Sequence, residues 1–184
     1  MTISRRIAIV IASSFTYYLI LYLNKLFFDS FDFLYGINWI FIPSGIQLLL
    51  VLVAVTEGAL GIVLATFIIG LETYYLDSVL HTSITAFISG GAPLLARKIC
   101  FDFLRIEKEL ENITFQDIIK ISFVFSLLSA SLIQIWFSYI GKSDAFIQSL
   151  FVMAVGNLIG TALVLFSISL IVSKLKNNDS SKIR

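Results

Sequence analysis

The chain has 184 residues, 58% hydrophobic and only 14% charged, with a formal net charge of +1 and a mean hydropathy of +0.96. Soluble domains carry about 45–50% apolar and about 25% charged residues, so this composition excludes one. A single cysteine, Cys100, and a single histidine, His81, exclude a disulfide framework, a Cys/His zinc site and a bis-histidine haem.

A bilayer core about 30 Å thick takes about 20 apolar residues of helix. Six segments come near that length: 7–28, 39–55, 59–75, 79–96, 118–140 and 146–173. An apolar leader would be followed by an ordinary domain, whereas these runs recur along the chain. The expected fold is an all-α polytopic membrane bundle of about six transmembrane helices, one domain over residues 1–173 with a basic tail at 174–184. The halves show no repeat.

The first segment follows Arg5 and Arg6 and carries Ala8 and Ala12 four residues apart. The second opens with Asn38-Trp39-Ile40-Phe41-Ile42-Pro43-Ser44-Gly45-Ile46-Gln47. Pro43 has no amide hydrogen and disfavours helical geometry in Ile42, so an extended stretch should give way to a helix starting near Ser44. Ser44 or Asn38 is placed to accept freed backbone amides, and Gln47 projects from the first turn of the new helix. Irregular backbone within a membrane must be covered by protein or line a water-filled cavity. The break therefore suggests a cavity, with Asn38, Trp39, Pro43, Ser44, Gly45 and Gln47 as candidate ligand-binding residues. It reads equally as a proline at a helix N-terminus with nothing bound.

The third segment begins after the tight turn Thr56-Glu57-Gly58. The fourth contains Gly90-Gly91-Ala92-Pro93, read as a kink or a close helix contact. His81 and Asp77, four residues apart, read as a solvated loop pair. From Arg97 to Asp117 charges mix with Ile99, Phe101, Phe103, Leu104 and Leu110, the pattern of an amphipathic piece on the membrane or against a partner. Cys100 reads as an inert thiol at a helix end. The sixth segment carries Gly156-Asn157-Leu158-Ile159-Gly160, where two glycines four apart let another element approach closely. Asn157 then needs a partner, with Gln134, Ser129 or Ser131 in reach. As a polar residue at membrane depth it joins the candidate ligand-binding set. The expected packing residues are Gly156, Gly160, Gly90 and Gly91.

Lys and Arg are retained on the cytoplasmic side. With both termini cytoplasmic, Arg5, Arg6, Arg97, Lys98, Arg105, Lys108, Lys120, Lys174, Lys176, Lys182 and Arg184 lie inside, leaving Lys25 and Lys142 outside. Tyr35, Trp39, Tyr74, Tyr75, Trp136 and Tyr139 then form an outer aromatic belt. The spans hold almost no charge, which disfavours an ion-driven mechanism. No nucleophile and base set, phosphate loop or metal-ligand spacing is visible. The expectations are no enzyme activity, no metal, no cofactor and no nucleic-acid partner, and membrane lipids as surroundings.

The runs Asn38-Trp39-Ile40-Phe41-Ile42-Pro43-Ser44-Gly45-Ile46, Gly58-Ala59-Leu60-Gly61-Ile62, Leu94-Leu95-Ala96-Arg97 and Gly156-Asn157-Leu158-Ile159-Gly160-Thr161 resemble, in that order, the MASE-type integral membrane sensory domain. The resemblance covers roughly residues 35–170. It implies a multi-helix sensor of a bacterial inner membrane that passes a signal to a histidine kinase or diguanylate cyclase. The chain departs from the family in having about six helices against about eight, Asn157 in place of the motif's acid, and no stretch that reads as an output domain. The signal is therefore expected to pass to a separate cytoplasmic protein. A six-helix chain with Ala8 and Ala12 on its first helix also resembles the substrate-binding S component of energy-coupling-factor transporters, whose partners would be transporter subunits. A scaffold without ligand is the third reading.

Overall fold

A computed structural model describes residues 1–34, 36–74, 78–104, 114–143 and 145–182. The described chain is 86% helical, in five helices: α1 (Ile3–Phe28), α2 (Pro43–Ile69), α3 (Val79–Asp102), α4 (Phe115–Tyr139) and α5 (Phe146–Lys182). All five are long and apolar enough to cross a membrane. Their outward faces carry Phe15, Val53, Phe87, Phe123, Ile135 and Phe151, each more than half exposed. In water such faces would have to be covered; in lipid they are already solvated.

Five helices replace the expected six because segments 39–55 and 59–75 join in α2. Helical hydrogen bonding resumes directly after Val55, so Thr56-Glu57-Gly58 belongs to the helix and no loop intervenes. Yet α2 is not straight. Val55 has φ 45° and ψ −107°, a conformation costly for a β-branched residue. A Cβ on Gly58 would lie 2.3 Å from the carbonyl oxygen of Leu50, although residues eight apart in a straight helix are separated by about 12 Å. The chain therefore reverses at Val55. A first limb from Pro43 to Ala54 folds back on a second from Thr56, and Ile46 and Ala65 share one apolar cluster.

Neighbouring contacts fix the order of packing. Arg6 Nε donates to Glu57 Oε1 at one end of α1. Further along, a Cβ on Gly61 would strike Ser13 at 2.5 Å, and the Tyr18 hydroxyl donates to Glu72 Oε2 at 2.9 Å. α1 thus runs parallel to the second limb of α2. That limb lies antiparallel to α3, since Gly70 faces Thr82 while Gly90 faces Ala59 and Val63. The first limb runs alongside α5, with Ser44 against Asn157 and Thr161 and Gly45 against Val164.

Between α1 and α2 the chain makes a small antiparallel hairpin, β1 (Asp32–Leu34) and β2 (Ile37–Asn38). Gly36, at φ 82°, supplies the left-handed turn that an L side chain resists. Two other boundaries move. Residues 97–102 continue α3, with Cys100 and Phe101 turned into the core and Lys98 and Asp102 exposed, while Phe103 and Leu104 beyond the helix end are exposed. Arg97 stays on that helix end, its guanidinium 4.7 Å from the Phe101 ring centre. Asp117 lies in α4, whose first turn is closed by a reciprocal Thr114–Asp117 capping box. Residues 105–113, the remainder of the expected amphipathic segment, lie outside the described residues. The basic tail expected from residue 174 continues α5 to Lys182; no glycine or proline follows Gly160 to stop it.

Candidate functional site

The two stretches that the sequence singles out, Asn38–Gln47 and Gly156–Gly160, meet in space. A Cβ on Gly156 would lie 2.1 Å from the carbonyl oxygen of Asn38, and one on Gly160 would lie 1.9 Å from that of Phe41. The paired glycines therefore seat extended backbone against a helix, a use of close approach that differs from helix-on-helix packing. The Phe41 N–H donates to the Gly156 carbonyl at 3.2 Å. Ser44 Oγ lies 2.7 Å from the Phe41 carbonyl oxygen and 2.8 Å from that of Asn157, its single proton shared between them. The Thr161 hydroxyl donates to Ser44 Oγ at 3.2 Å.

Several local expectations change here. Ile42 is helical, at φ −57° and ψ −35°, and its N–H, which has no acceptor within its own helix, is satisfied from outside the segment. Asn24 Oδ1 on α1 accepts it at 3.0 Å, and Asn24 is buried. Ser44 acts as a donor to carbonyls and does not accept freed amides. Asn157 pairs with none of Gln134, Ser129 or Ser131: its Nδ2 is buried without a hydrogen-bond partner. Gln134 Nε2 instead approaches Met153 Sδ at 3.5 Å. α3 passes through Gly90-Gly91-Ala92-Pro93 without interruption. Gly90 is in close contact with α2, whereas Gly91 faces open space and packs nothing.

Behind this junction lies a cavity of about 110 Å³. Its walls come from every helix: Tyr17 of α1, Gln47 and Thr66 of the two limbs of α2, Thr82, Thr85 and Ser89 of α3, Ser129, Ile133 and Phe137 of α4, and Met153 and Asn157 of α5. It reaches the loop end of the bundle at Gly36 and Lys142. Of the candidate ligand-binding residues, Gln47 and Asn157 line it. Pro43, Ser44 and Gly45 are buried against α5 instead, and Asn38 and Trp39 lie outside the lining. Trp39 packs edge-on between Phe33 and Phe151.

Among the described residues of the lining, Lys142 alone is charged. Although Lys142 is exposed, desolvation beside the cavity holds its ammonium below the usual lysine range, because loss of solvent disfavours the charged form. Trp136 of the expected aromatic belt braces the wall, its Nε1–H donating to Thr85 Oγ1 at 3.0 Å. His81 packs edge-on against Trp136, ring centres 5.7 Å apart, and is partly buried rather than loosely solvated. Tyr35, Tyr75, Asp77 and Asp144 lie outside the described residues.

The sequence did not mark Thr66, Thr82, Thr85 or Ser89 as site residues, and it named Ser129 only as a partner for Asn157 and Lys142 only as an outer charge. Hydroxyls are common in membrane helices because they can satisfy backbone carbonyls, so none of them signals a site alone. Asn24 carried a readable signal, a lone amide inside an apolar run. Among the described residues no cluster of His, Cys, Asp or Glu could hold a metal ion. No protein-family model, curated protein or solved structure matches this chain.

Proposed function

We propose that the protein is a multi-pass membrane protein of a bacterial inner membrane, with both termini cytoplasmic, that binds a small molecule or lipid from the outer side and signals through a separate cytoplasmic protein. The fold-back at Val55 gives the chain six limbs of alternating direction, which fits six crossings. The basic residues then divide as the inside rule requires. The observation that carries the reading is the cavity, which reaches Gly36 and Lys142 at the end that this orientation puts outside and is lined by Gln47 and Asn157. The Asn38–Gln47 and Gly156–Thr161 stretches that resemble the MASE-type sensory domain are those that meet beside it.

A second reading, the S component of an energy-coupling-factor transporter, draws support from Ala8 and Ala12, both on α1, with Ala8 exposed where a docking strip must be. Two experiments test these readings. Ser129→Cys in a Cys100→Ser background should react with a membrane-impermeant thiol reagent added to the outer face; an unreactive thiol would remove the open cavity. Cross-linking in native membranes from cysteines placed between Phe103 and Thr114 should capture a kinase or cyclase. Capture of a transport ATPase pair with its coupling subunit would move the second reading to first place.

A further inference from the structure

Polar side chains from all six limbs meet at one depth of the cavity. Gln47 Nε2 lies 3.5 Å from the Ser89 carbonyl oxygen, so the first limb of α2 is level there with Ser89 of α3. Gly70 faces Thr82 and Gly90 faces Val63, which sets Thr66 of the second limb within a turn of Ser89. Ser13 of the parallel α1 meets Gly61, which sets Tyr17 beside Ala65 and Thr66. Trp136 bonds Thr85, and Gln134 approaches Met153. Counted back along these antiparallel helices, Ser129 of α4 is level with Ala92 of α3 and Leu158 of α5. Asn157 therefore belongs to the same layer, eleven residues into α5 from Phe146 and roughly 16 Å below the loop end. Tyr17, Gln47, Thr66, Ser89, Ser129 and Asn157 all line the cavity, and none of the six is charged. Lys142, already engaged, lies at the loop end, away from this layer.

Asn157 is 1% exposed, and its Nδ2 has no hydrogen-bond partner, an exception among buried polar atoms. An acceptor inside the cavity would satisfy it. The Gln47 contact, at 3.5 Å, is at the outer limit of a hydrogen bond, so its Nε2 is free to turn to the same acceptor. An ion entering this layer would lose its hydration with no counter-charge to replace it. A cavity of about 150 Å³ accepts benzene, so one of about 110 Å³ suits a molecule of about six non-hydrogen atoms. We propose that this layer binds a small uncharged molecule through a carbonyl oxygen. The Asn157 amide donates to that oxygen, Gln47 adds a second donor, and the apolar body rests against Ile133 and Met153, one turn nearer the loop end. A carbonyl oxygen offers two lone pairs to two amide donors and, unlike a hydroxyl, brings no proton that would itself need an acceptor. The proposal rests on the cavity reading above and names its ligand class.

The test is ligand-detected NMR titration of the purified full chain in detergent micelles, corrected against empty micelles, with cyclopentanone, cyclopentanol, methylcyclopentane and cyclopentylamine. These share one ring and differ only in the group that it carries. Cyclopentanone should bind about fivefold or more tightly than the hydrocarbon or the ammonium, the size of one hydrogen bond or more. Asn157→Leu should erase that preference while the chain stays folded, and Gln47→Leu should reduce it. Cyclopentanone should also slow the reaction of the Ser129→Cys thiol, a measurement that leaves Asn157 and Gln47 unchanged. Equal binding of cyclopentanone and methylcyclopentane, or a preference that survives Asn157→Leu, would overturn the carbonyl assignment while leaving the cavity reading intact. Tighter binding of cyclopentanol or cyclopentylamine would overturn it in favour of a hydroxyl or a cation. Binding of no probe would also overturn it. In that case a reactive Ser129→Cys thiol would confine the failure to the ligand class, and an unreactive one would extend it to the cavity.

Discussion

Replacing Gly160 by alanine inserts one methyl group where the chain has no room for it. The new carbon would lie 1.9 Å from the Phe41 carbonyl oxygen, 2.4 Å from its carbon and 2.9 Å from the Ile42 nitrogen, all below the 3.0 Å that real Cβ atoms keep. Every obstructing atom is backbone, so no side chain can swing aside. The extended segment has to retreat by roughly 1 Å, and an overpacked site of this kind costs about 1–3 kcal/mol. That movement stretches the Phe41 N–H bond to Gly156, already 3.2 Å long, beyond hydrogen-bond range. Leaving a buried donor and acceptor unmade adds about 1–3 kcal/mol. A total of about 2–6 kcal/mol corresponds to a fall in melting temperature of roughly 4–24 °C for a chain of this size. The assay is thermal unfolding in detergent followed by tryptophan fluorescence, with Gly91→Ala as control. Gly91 has no atom within 4 Å of an added Cβ, so that variant should gain about 0.5–1 kcal/mol from the lost flexibility of glycine. A Gly160→Ala protein as stable as wild type, or a Gly91→Ala protein that falls equally far, would refute the seating of extended backbone on the paired glycines.

Asn24→Ala should cost about 1–3 kcal/mol by leaving the buried Ile42 N–H without its acceptor; chemical denaturation in mixed micelles would show it, and an unchanged midpoint would argue against the bond. Val55→Gly should stabilise the chain by up to about 2 kcal/mol, because relief of backbone strain outweighs the added freedom of glycine; a lower melting temperature would mean that Val55 carries no strain. Lys142 should make stability pH-dependent. Its folded value lies below the ordinary 10.5, so in the window between the two the unfolded chain binds more protons and stability rises with pH. Melting curves across that window should lose this rise in Lys142→Gln, and an identical slope in the variant would count against a desolvated ammonium.

The apolar runs, the interruption at Pro43, the spacing of Gly156 and Gly160 and the distribution of lysine and arginine are properties of neighbouring residues. The sequence by itself therefore determined that the chain is helical, with helices long and apolar enough to cross a membrane, and where its backbone departs from plain helix. It did not determine what each feature meets. The paired glycines read as a helix contact until the extended Asn38–Phe41 backbone is seen lying on them, more than a hundred residues away in sequence. The Ile42 N–H, ahead of the first turn of α2, has no acceptor within its own helix, and only α1, brought alongside, supplies Asn24. The loop expected at residues 56–58 proved to be helix because one residue, Val55, takes the whole reversal. Lys142 and Asn157 belong to one cavity only because six limbs pack in a particular order, and that order is set by contacts between distant side chains, which local pattern does not encode.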